Sequence, residues 1–369
     1  MIRPAILADI PNLVEIENTC FSTDRISRRS FRHLLTKGHA TTLVYEENRK
    51  LLGYVMVLFN NGTSLSRLYS LATMPEARGK GVGAALVKAA EEAAIVQDCA
   101  YMRLEIRTDN EASNNLFQKL GYRRFGTYDD YYEDHTDAYR YEKMLIEQKP
   151  PTLLSVPYYQ QTLDFTCGPA AMLMAMKTLD ADVEFSRSHE LRLWRESTTI
   201  FMTAGHGGCG PFGMALAAKH RGFDVEIYVS ESESLFVDSV RSEEKKEVIR
   251  LVNEDFLQEI EQKKIPLHYG RLSIGDIKEK LDVGGVPIIL ISSYRIYNEK
   301  FPHWVVVNGM DDSFIYVHDP YIDVEVGKTL TDCLNMPIAF KEFERMSRYG
   351  RSGQRAALII HKPTRKKRH

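Results

Sequence analysis

At Gln148-Lys149-Pro150-Pro151-Thr152 neither a helix nor a central strand can run on. Each proline lacks an N–H and fixes φ, and two in succession favour a stiff, extended, polyproline-like segment. The chain is 369 residues long, and at about 100–200 residues per domain that length accommodates two domains. The expected division is therefore residues 1–147, a linker at 148–152, residues 153–361 and a basic tail at 362–369. Charge does not separate the halves: 19 basic and 20 acidic residues stand before position 148, and 29 and 30 after it. The net charge of −2 argues against a chain that coats nucleic acid. No apolar run approaches the ~18 residues of a membrane span. Asp9 interrupts the only apolar patch near the start, so no secretory leader is expected. Five scattered cysteines make no disulfide framework or zinc ribbon, and they fit a reducing cytoplasm. No internal repeat is visible, and the tail reads first as solvated charge.

The first half alternates element types. Apolar spacing predicts helices over 9–21, 81–95 and 111–120, the last closed by Gly121. Strands are expected at 41–45, 53–59, 65–73, 102–106 and 139–145, a mixed α/β fold. In the second half, helices are expected at 168–179, 212–222 and within 243–264. Strands follow at 286–292, 303–308, 314–318 and 349–361, and helices ahead of strands is the α+β pattern.

Arg78-Gly79-Lys80-Gly81-Val82-Gly83-Ala84 lies between a strand and a helix. Glycines there let backbone approach a ligand, and the free N–H groups of a helix start attract phosphate oxygens. A Walker loop would need Gly-Lys-Ser/Thr at its end, and none is present. Gly79-x-Gly81-x-x-Ala84 satisfies a dinucleotide fingerprint. Such a strand, however, runs straight into its first glycine near the start of the fold, whereas Met74-Pro75-Glu76-Ala77 intervenes here. With Arg78 included, and with Leu104-Glu105-Ile106-Arg107-Thr108-Asp109-Asn110 ahead of a helix ending Lys119-Leu120-Gly121-Tyr122, residues 1–146 resemble the GNAT acetyltransferases, in particular the ribosomal-protein-alanine acetyltransferases. The resemblance implies acetyl-CoA contacts at Leu71, Ala72 and Thr73, at Arg78 through Ala84 (Gly79, Lys80, Gly81, Val82, Gly83) and at Asn110. It also implies that Glu105 is the base for an acceptor amine, since an ammonium cannot attack a thioester until it loses a proton. Phe117 stands where the family places a general-acid tyrosine, and Tyr131 or Tyr132 are the alternatives.

Cys167 precedes a helix that Pro169 can start, where the positive end of the helix dipole favours a thiolate. Gln161, six residues upstream, can supply a side-chain N–H to an oxyanion beside the Cys167 N–H. His303 opens an apolar run and Asp319 ends the next one, and a tight turn between them sets base and orienting acid side by side. Gln161-x5-Cys167-Gly-Pro, His303-Trp-Val-Val-Val and His318-Asp319-Pro320, in this order, resemble the papain-like peptidases that remove double-glycine leaders, over roughly residues 153–325. A second Cys-Gly-Pro at Cys209 has Thr203 six residues upstream, which offers no amide, so Cys167 is the expected nucleophile. His206 with Cys209 makes only half a metal site, and His318 and His268 read as structural.

The expectation is thus a cytoplasmic fusion of a GNAT acetyltransferase and a papain-like cysteine peptidase, using acetyl-CoA and no metal, with peptide or protein substrates. Two alternatives are a peptidase whose front domain binds acetyl-CoA with poor turnover, and a non-enzymatic peptide-binding adaptor.

Overall fold

The computed structural model describes residues 1–198, 207–230, 242–350 and 352–363. His206, Thr203 and most of the basic tail, residues 364–369, lie outside the described residues. The chain divides into two units, Met1–Gln148 and Lys149–His369.

The first unit runs β1 (Ile2–Pro4), α1 (Ile10–Cys20), α2 (Arg28–Thr36), β2 (Ala40–Glu47), β3 (Lys50–Phe59), β4 (Leu65–Thr73), α3 (Val82–Val96), β5 (Tyr101–Arg107), α4 (Glu111–Lys119), β6 (Arg123–Tyr128) and β7 (Ala138–Met144). Among the described residues its sheet has the order β1-β2-β3-β4-β5-β7-β6, so β7 is inserted between β5 and β6. Six alanines make α3 a strong helix former, and its Val82, Leu86, Val87 and Ala90 pack on Val55, Val57, Met102 and Leu104. On the opposite face α1 and α2 bury Leu13, Ile16 and Phe31 against Tyr54 and Met56. Three elements of this unit, β1, α2 and β6, have no clear sequence signal, and for two of them the reason is identifiable. Helix α2 buries Phe31 alone and depends on the Ser27 side chain, which accepts from the Ser30 N–H at 3.1 Å. Strand β6, RRFGTY, lacks apolar alternation and is held only by β7.

β4 and β5 are parallel neighbours for a short stretch, pairing Leu65–Arg67 with Tyr101–Arg103. Beyond that point the two strands part. Leu71, Ala72 and Thr73 remain paired to β3 while their other edge leaves the ladder.

The second unit runs β8 (Thr152–Leu153), α5 (Cys167–Leu179), α6 (Arg187–Ser197), α7 (Pro211–His220), β9 (Asp224–Val229), α8 (Glu243–Gln262), β10 (Leu267–Tyr269), α9 (Ile274–Asp282), β11 (Val286–Ser292), α10 (Tyr294–Tyr297), β12 (Pro302–Met310), β13 (Phe314–His318), α11 (Leu330–Cys333), β14 (Met336–Ala339), α12 (Phe340–Met346) and β15 (Ala356–His361). Its sheet order is β10-β9-β15-β11-β12-β13-β14, with β8 beside β12. Alternate residues of the inner strands serve two cores: Ile288, Leu290, Trp304 and Val306 face one, and Ile289, Ile291, Val305 and Val307 the other. Coverage of both faces explains why VPIILIS is a continuous apolar run.

Helices and strands interleave here, which corrects the helices-first order. Strand β9 was missed although Val225, Ile227 and Val229 alternate cleanly inward. The last strand begins at Ala356 rather than Tyr349, which makes only an isolated bridge to Gln354.

Helix α5 is buried without a break from Cys167 to Met176. Its first turn lies so close to α7 and β12 that a Cβ on Gly168 would stand 3.0 Å from Met214 Sδ, 3.2 Å from Cys209 Cβ and 3.3 Å from Trp304 Cδ1. Gly168→Val should therefore destabilise this unit by about 1–3 kcal/mol through overpacking. Denaturant unfolding checks this; an unchanged midpoint would show that the helix start can back away.

Candidate active sites

In the first unit, Gly79 and Gly81 have φ of +73° and +79°. A Cβ at either would meet no protein atom within 4 Å, so the left-handed backbone is what requires glycine, and the space beside the loop is open. Gly81 is the N-cap of α3, which leaves the first-turn N–H groups of Val82, Gly83 and Ala84 without intrahelical acceptors. The Arg78 Nε–H donates to the Thr73 carbonyl at 3.3 Å, tying the loop back to β4. Lys80 is exposed beside it. Asn110 caps α4, its Oδ1 accepting from the Ser113 N–H at 3.0 Å.

Glu105 projects from β5 with only 4% of its side chain exposed. Its Oε2 accepts from Arg67 Nε at 3.0 Å, while Oε1 is buried with no hydrogen-bond partner. Arg67 Nη2 also donates to the Tyr131 hydroxyl at 2.6 Å. Burial, then the Glu105 charge, hold the Tyr132 phenol well above its ordinary pKa, so it keeps its proton. Phe117 is buried and packs edge-on to Tyr122 with ring centroids 5.1 Å apart, a core position.

In the second unit, His303 at the start of β12 and Asp319 just after β13 are both buried. His303 Nε2 lies 2.6 Å from Asp319 Oδ1. The Cys167 side chain also bears on the imidazole and favours its charged form. Burial is the largest influence on His303 and pulls its pKa down. The charge and hydrogen bond of Asp319, followed by those of Cys167, outweigh it and raise the pKa to about 10. Asp319 is itself stabilised as the anion. Burial works against that, but the His303 charge and hydrogen bond, Tyr297 and the Tyr321 N–H together hold its pKa below the ordinary value. The Tyr297 hydroxyl donates to Oδ2 at 2.6 Å and the Tyr321 N–H to Oδ1 at 2.9 Å. Neither Tyr297 nor Tyr321 belongs to a recognisable motif, and the sequence reading did not name them.

Gln161 is buried on the segment before α5. Its Nε2 donates to the Leu163 carbonyl at 2.9 Å, which fixes the amide orientation because Leu163 O needs a donor. One amide N–H is thereby spent on the loop. Cys209 is packed behind the site: its carbonyl accepts from Trp304 Nε1 at 3.0 Å. Burial, then the Cys167 charge, push its thiol well above the ordinary pKa, so it stays protonated. The second Cys-Gly-Pro is thus a wall for the first. In His318 both ring nitrogens are used: Nδ1 accepts from the Asn335 N–H and Nε2 donates to the Val156 carbonyl, each at 3.0 Å. His268 is half exposed and stacks on Tyr228. Among the described residues no group of three or more metal-ligating side chains occurs, and no helix is long and apolar enough to cross a membrane.

Comparison with known proteins finds a different family on each side of the proline pair. Residues 10–122 match the Acetyltransferase (GNAT) family. Over 136 residues the chain is 28% identical to a Bacillus subtilis protein named as a candidate ribosomal protein bS18-alanine N-acetyltransferase, which covers 36% of this chain and 87% of that protein. It is 30% identical over 149 residues to the N-alpha-acetyltransferase of Sulfurisphaera tokodaii, covering 37% of this chain and 89% of the relative. Among solved structures, the ribosomal-protein-S18-alanine N-acetyltransferase of Escherichia coli aligns at 20% identity and a TM-score of 0.37, covering 40% of this chain and 96% of that one. Residues 156–361 match the Peptidase_C39 like family. That match spans more than half of the sequence, and the chain therefore belongs to the Peptidase_C39 like family, with a GNAT acetyltransferase domain ahead of it.

Proposed function

We propose that the second unit is a cysteine peptidase and the first an N-acetyltransferase, both acting on peptides. The buried His303–Asp319 pair against Cys167, at the start of α5, carries the peptidase reading. His303 takes the Cys167 Sγ proton as Sγ bonds the scissile carbonyl carbon and the carbonyl π pair moves onto oxygen. That oxyanion is met by the Cys167 N–H and the remaining Gln161 amide N–H. Collapse breaks the C–N bond, and His303 gives its proton to the departing amine. Water, losing a proton to His303, then attacks the thioester carbon, which restores the thiol and releases a carboxylic acid. Asp319 keeps the imidazole oriented throughout.

For the first unit, the residues fit acetyl-CoA. The loop 78–84 leaves open space, α3 offers first-turn N–H groups to phosphate oxygens, and β4 parts from β5 along Leu71–Thr73. When bound, acetyl-CoA supplies the thioester whose acetyl group the acceptor takes. Glu105 removes the amine proton, and its unpartnered Oε1 is the atom that receives it. Arg67 holds the other oxygen. The relatives' N-terminal substrates support a peptide or protein N-terminus as acceptor. A front domain that binds the cosubstrate with little turnover is favoured by one observation, the apolar Phe117.

Three results are expected. Cys167→Ala and His303→Ala should each abolish peptide cleavage, with the double variant little worse, because the pair acts as a unit. Cys209→Ala should cleave normally, and loss of cleavage there with retention in Cys167→Ala would reverse the assignment.

Stability should also depend on pH in a defined sense. The raised His303 pKa contributes stability that is whole below the ordinary value of 6.5 and lost as pH rises through about 10. Denaturant unfolding across that window should show the parent losing its advantage over Asp319→Asn; parallel curves would show the pair adds none.

Glu105→Gln should lower acetyl transfer by ~10²–10⁴ while acetyl-CoA binding, followed by calorimetry, is kept. Transfer within twofold of the parent would make Glu105 structural.

A further inference from the structure

Glu190, on α6, is fully buried, and its partners are neutral donors that all come from the segment leading into Cys167. Oε2 accepts from the Tyr159 hydroxyl at 3.0 Å and the Thr162 hydroxyl at 2.6 Å. Oε1 accepts from the Thr162 N–H at 2.8 Å and the Thr166 hydroxyl at 2.5 Å. A shell made only of donors requires an acceptor on both oxygens, which a carboxylate provides and a carboxamide does not. A buried charge is expensive unless its hydrogen bonds are complete, so this carboxylate fixes the positions of residues 159, 162 and 166.

Those residues bracket the proposed oxyanion site. Gln161 lies between Tyr159 and Thr162, and Thr166 is the N-cap of α5. Threonine at an N-cap ordinarily turns its oxygen onto the N–H groups of the first turn. Here the Thr166 side chain makes no such cap; its hydroxyl goes to Glu190 and lies 2.9 Å from the Leu163 carbonyl. Pro169, third in the helix, has no N–H, and the Ala170 N–H is bonded to the Thr166 carbonyl. The N–H groups of Cys167 and Gly168 are therefore what the helix start has to offer an oxyanion.

We propose that Glu190 is a positioning residue for the peptidase: it draws the Thr166 hydroxyl away from the start of α5 and fixes the Gln161 segment, keeping the oxyanion donors uncapped and in place. The proposal rests on the cysteine-peptidase reading of the same site. It predicts a separation that a general structural role would not give, because Glu190 touches neither Cys167 nor His303.

The test compares the full-length parent with Glu190→Gln in three measurements. The first is the rate at which iodoacetamide alkylates Cys167, which needs the Cys–His pair alone. The second is affinity for a short peptidyl glycinal. In that adduct Cys167 Sγ bonds the aldehyde carbon, and the carbonyl pair moves to an oxygen that takes the His303 proton in the oxyanion site. The third is kcat and KM for peptide cleavage. Alkylation within about twofold of the parent is expected, with aldehyde affinity and kcat each down about 10–100-fold and KM little changed, the scale of a misplaced site. Thr166→Val removes one of the four bonds and should show the same split at smaller size, with Thr166→Ser restoring the parent; this series decides the matter if Glu190→Gln fails to fold. Alkylation falling in step with aldehyde affinity, or aldehyde affinity unchanged, overturns the proposal. A parent that binds the aldehyde but cuts no peptide overturns the peptidase reading while leaving the Glu190 result intact. A parent that neither alkylates rapidly nor binds the aldehyde overturns both.

Discussion

Asp319 is a carboxylate with no surface in water, and the second unit is arranged around making that tolerable. An isolated buried charge is costly, and pairing alone seldom repays the desolvation. Here the pairing is with His303, and the remaining lone pairs take the Tyr297 hydroxyl and the Tyr321 N–H. The Asp319 carbonyl in turn accepts from the Tyr158 hydroxyl at 2.8 Å, which joins the segment ahead of α5 to the end of β13. The segment ahead of α5, helix α10 and strand β12 thus converge on one residue. Removing any partner leaves a charge unsatisfied, so the geometry of the imidazole is enforced by the same terms that hold the unit folded.

The first unit solves a different problem with the same physics. Arg67 and Glu105 lie on β4 and β5 close to where those strands separate, and their pairing satisfies one carboxylate oxygen and leaves the other without a donor. An incomplete hydrogen-bond set in a buried place is unfavourable in the resting protein and is relieved by a ligand that brings a donor. In both units a candidate site residue keeps an unpartnered buried oxygen, Glu105 Oε1 and Gln161 Oε1, beside neighbours whose bonding is complete.

Local signals made part of this legible in the sequence. The Pro150-Pro151 break, the glycine loop and the order Gln161, Cys167, His303, Asp319 all depend on residue type and spacing over a few positions. Strand β9 carries an equally local signal, with Val225, Ile227 and Val229 alternating inward. What could not be read depends on contacts between distant residues. Glu190 is an ordinary acidic residue on a charged helix, and only the tertiary structure brings it to Thr162 and Thr166. Tyr297 reaches Asp319 across 22 positions from a four-residue helix with no pattern of its own. Arg67 meets Glu105 across a parallel strand pair, which no short-range rule predicts. The left-handed glycines show a subtler limit. Close approach to a ligand is one reason for them in the sequence, and the structure adds a second, a left-handed backbone beside open space.

Strand β12 bears His303 at its first turn out of solvent and is flanked on both sides, by β11 and β13. Its residues from His303 to Gly309 are all buried. An inner strand of this kind belongs to the part of a protein that opens only when the whole unit opens. His303 is therefore carried on a strand with no private mode of fraying. A device that regulated the proposed site would thus act on its approaches rather than on the buried strand that carries the imidazole.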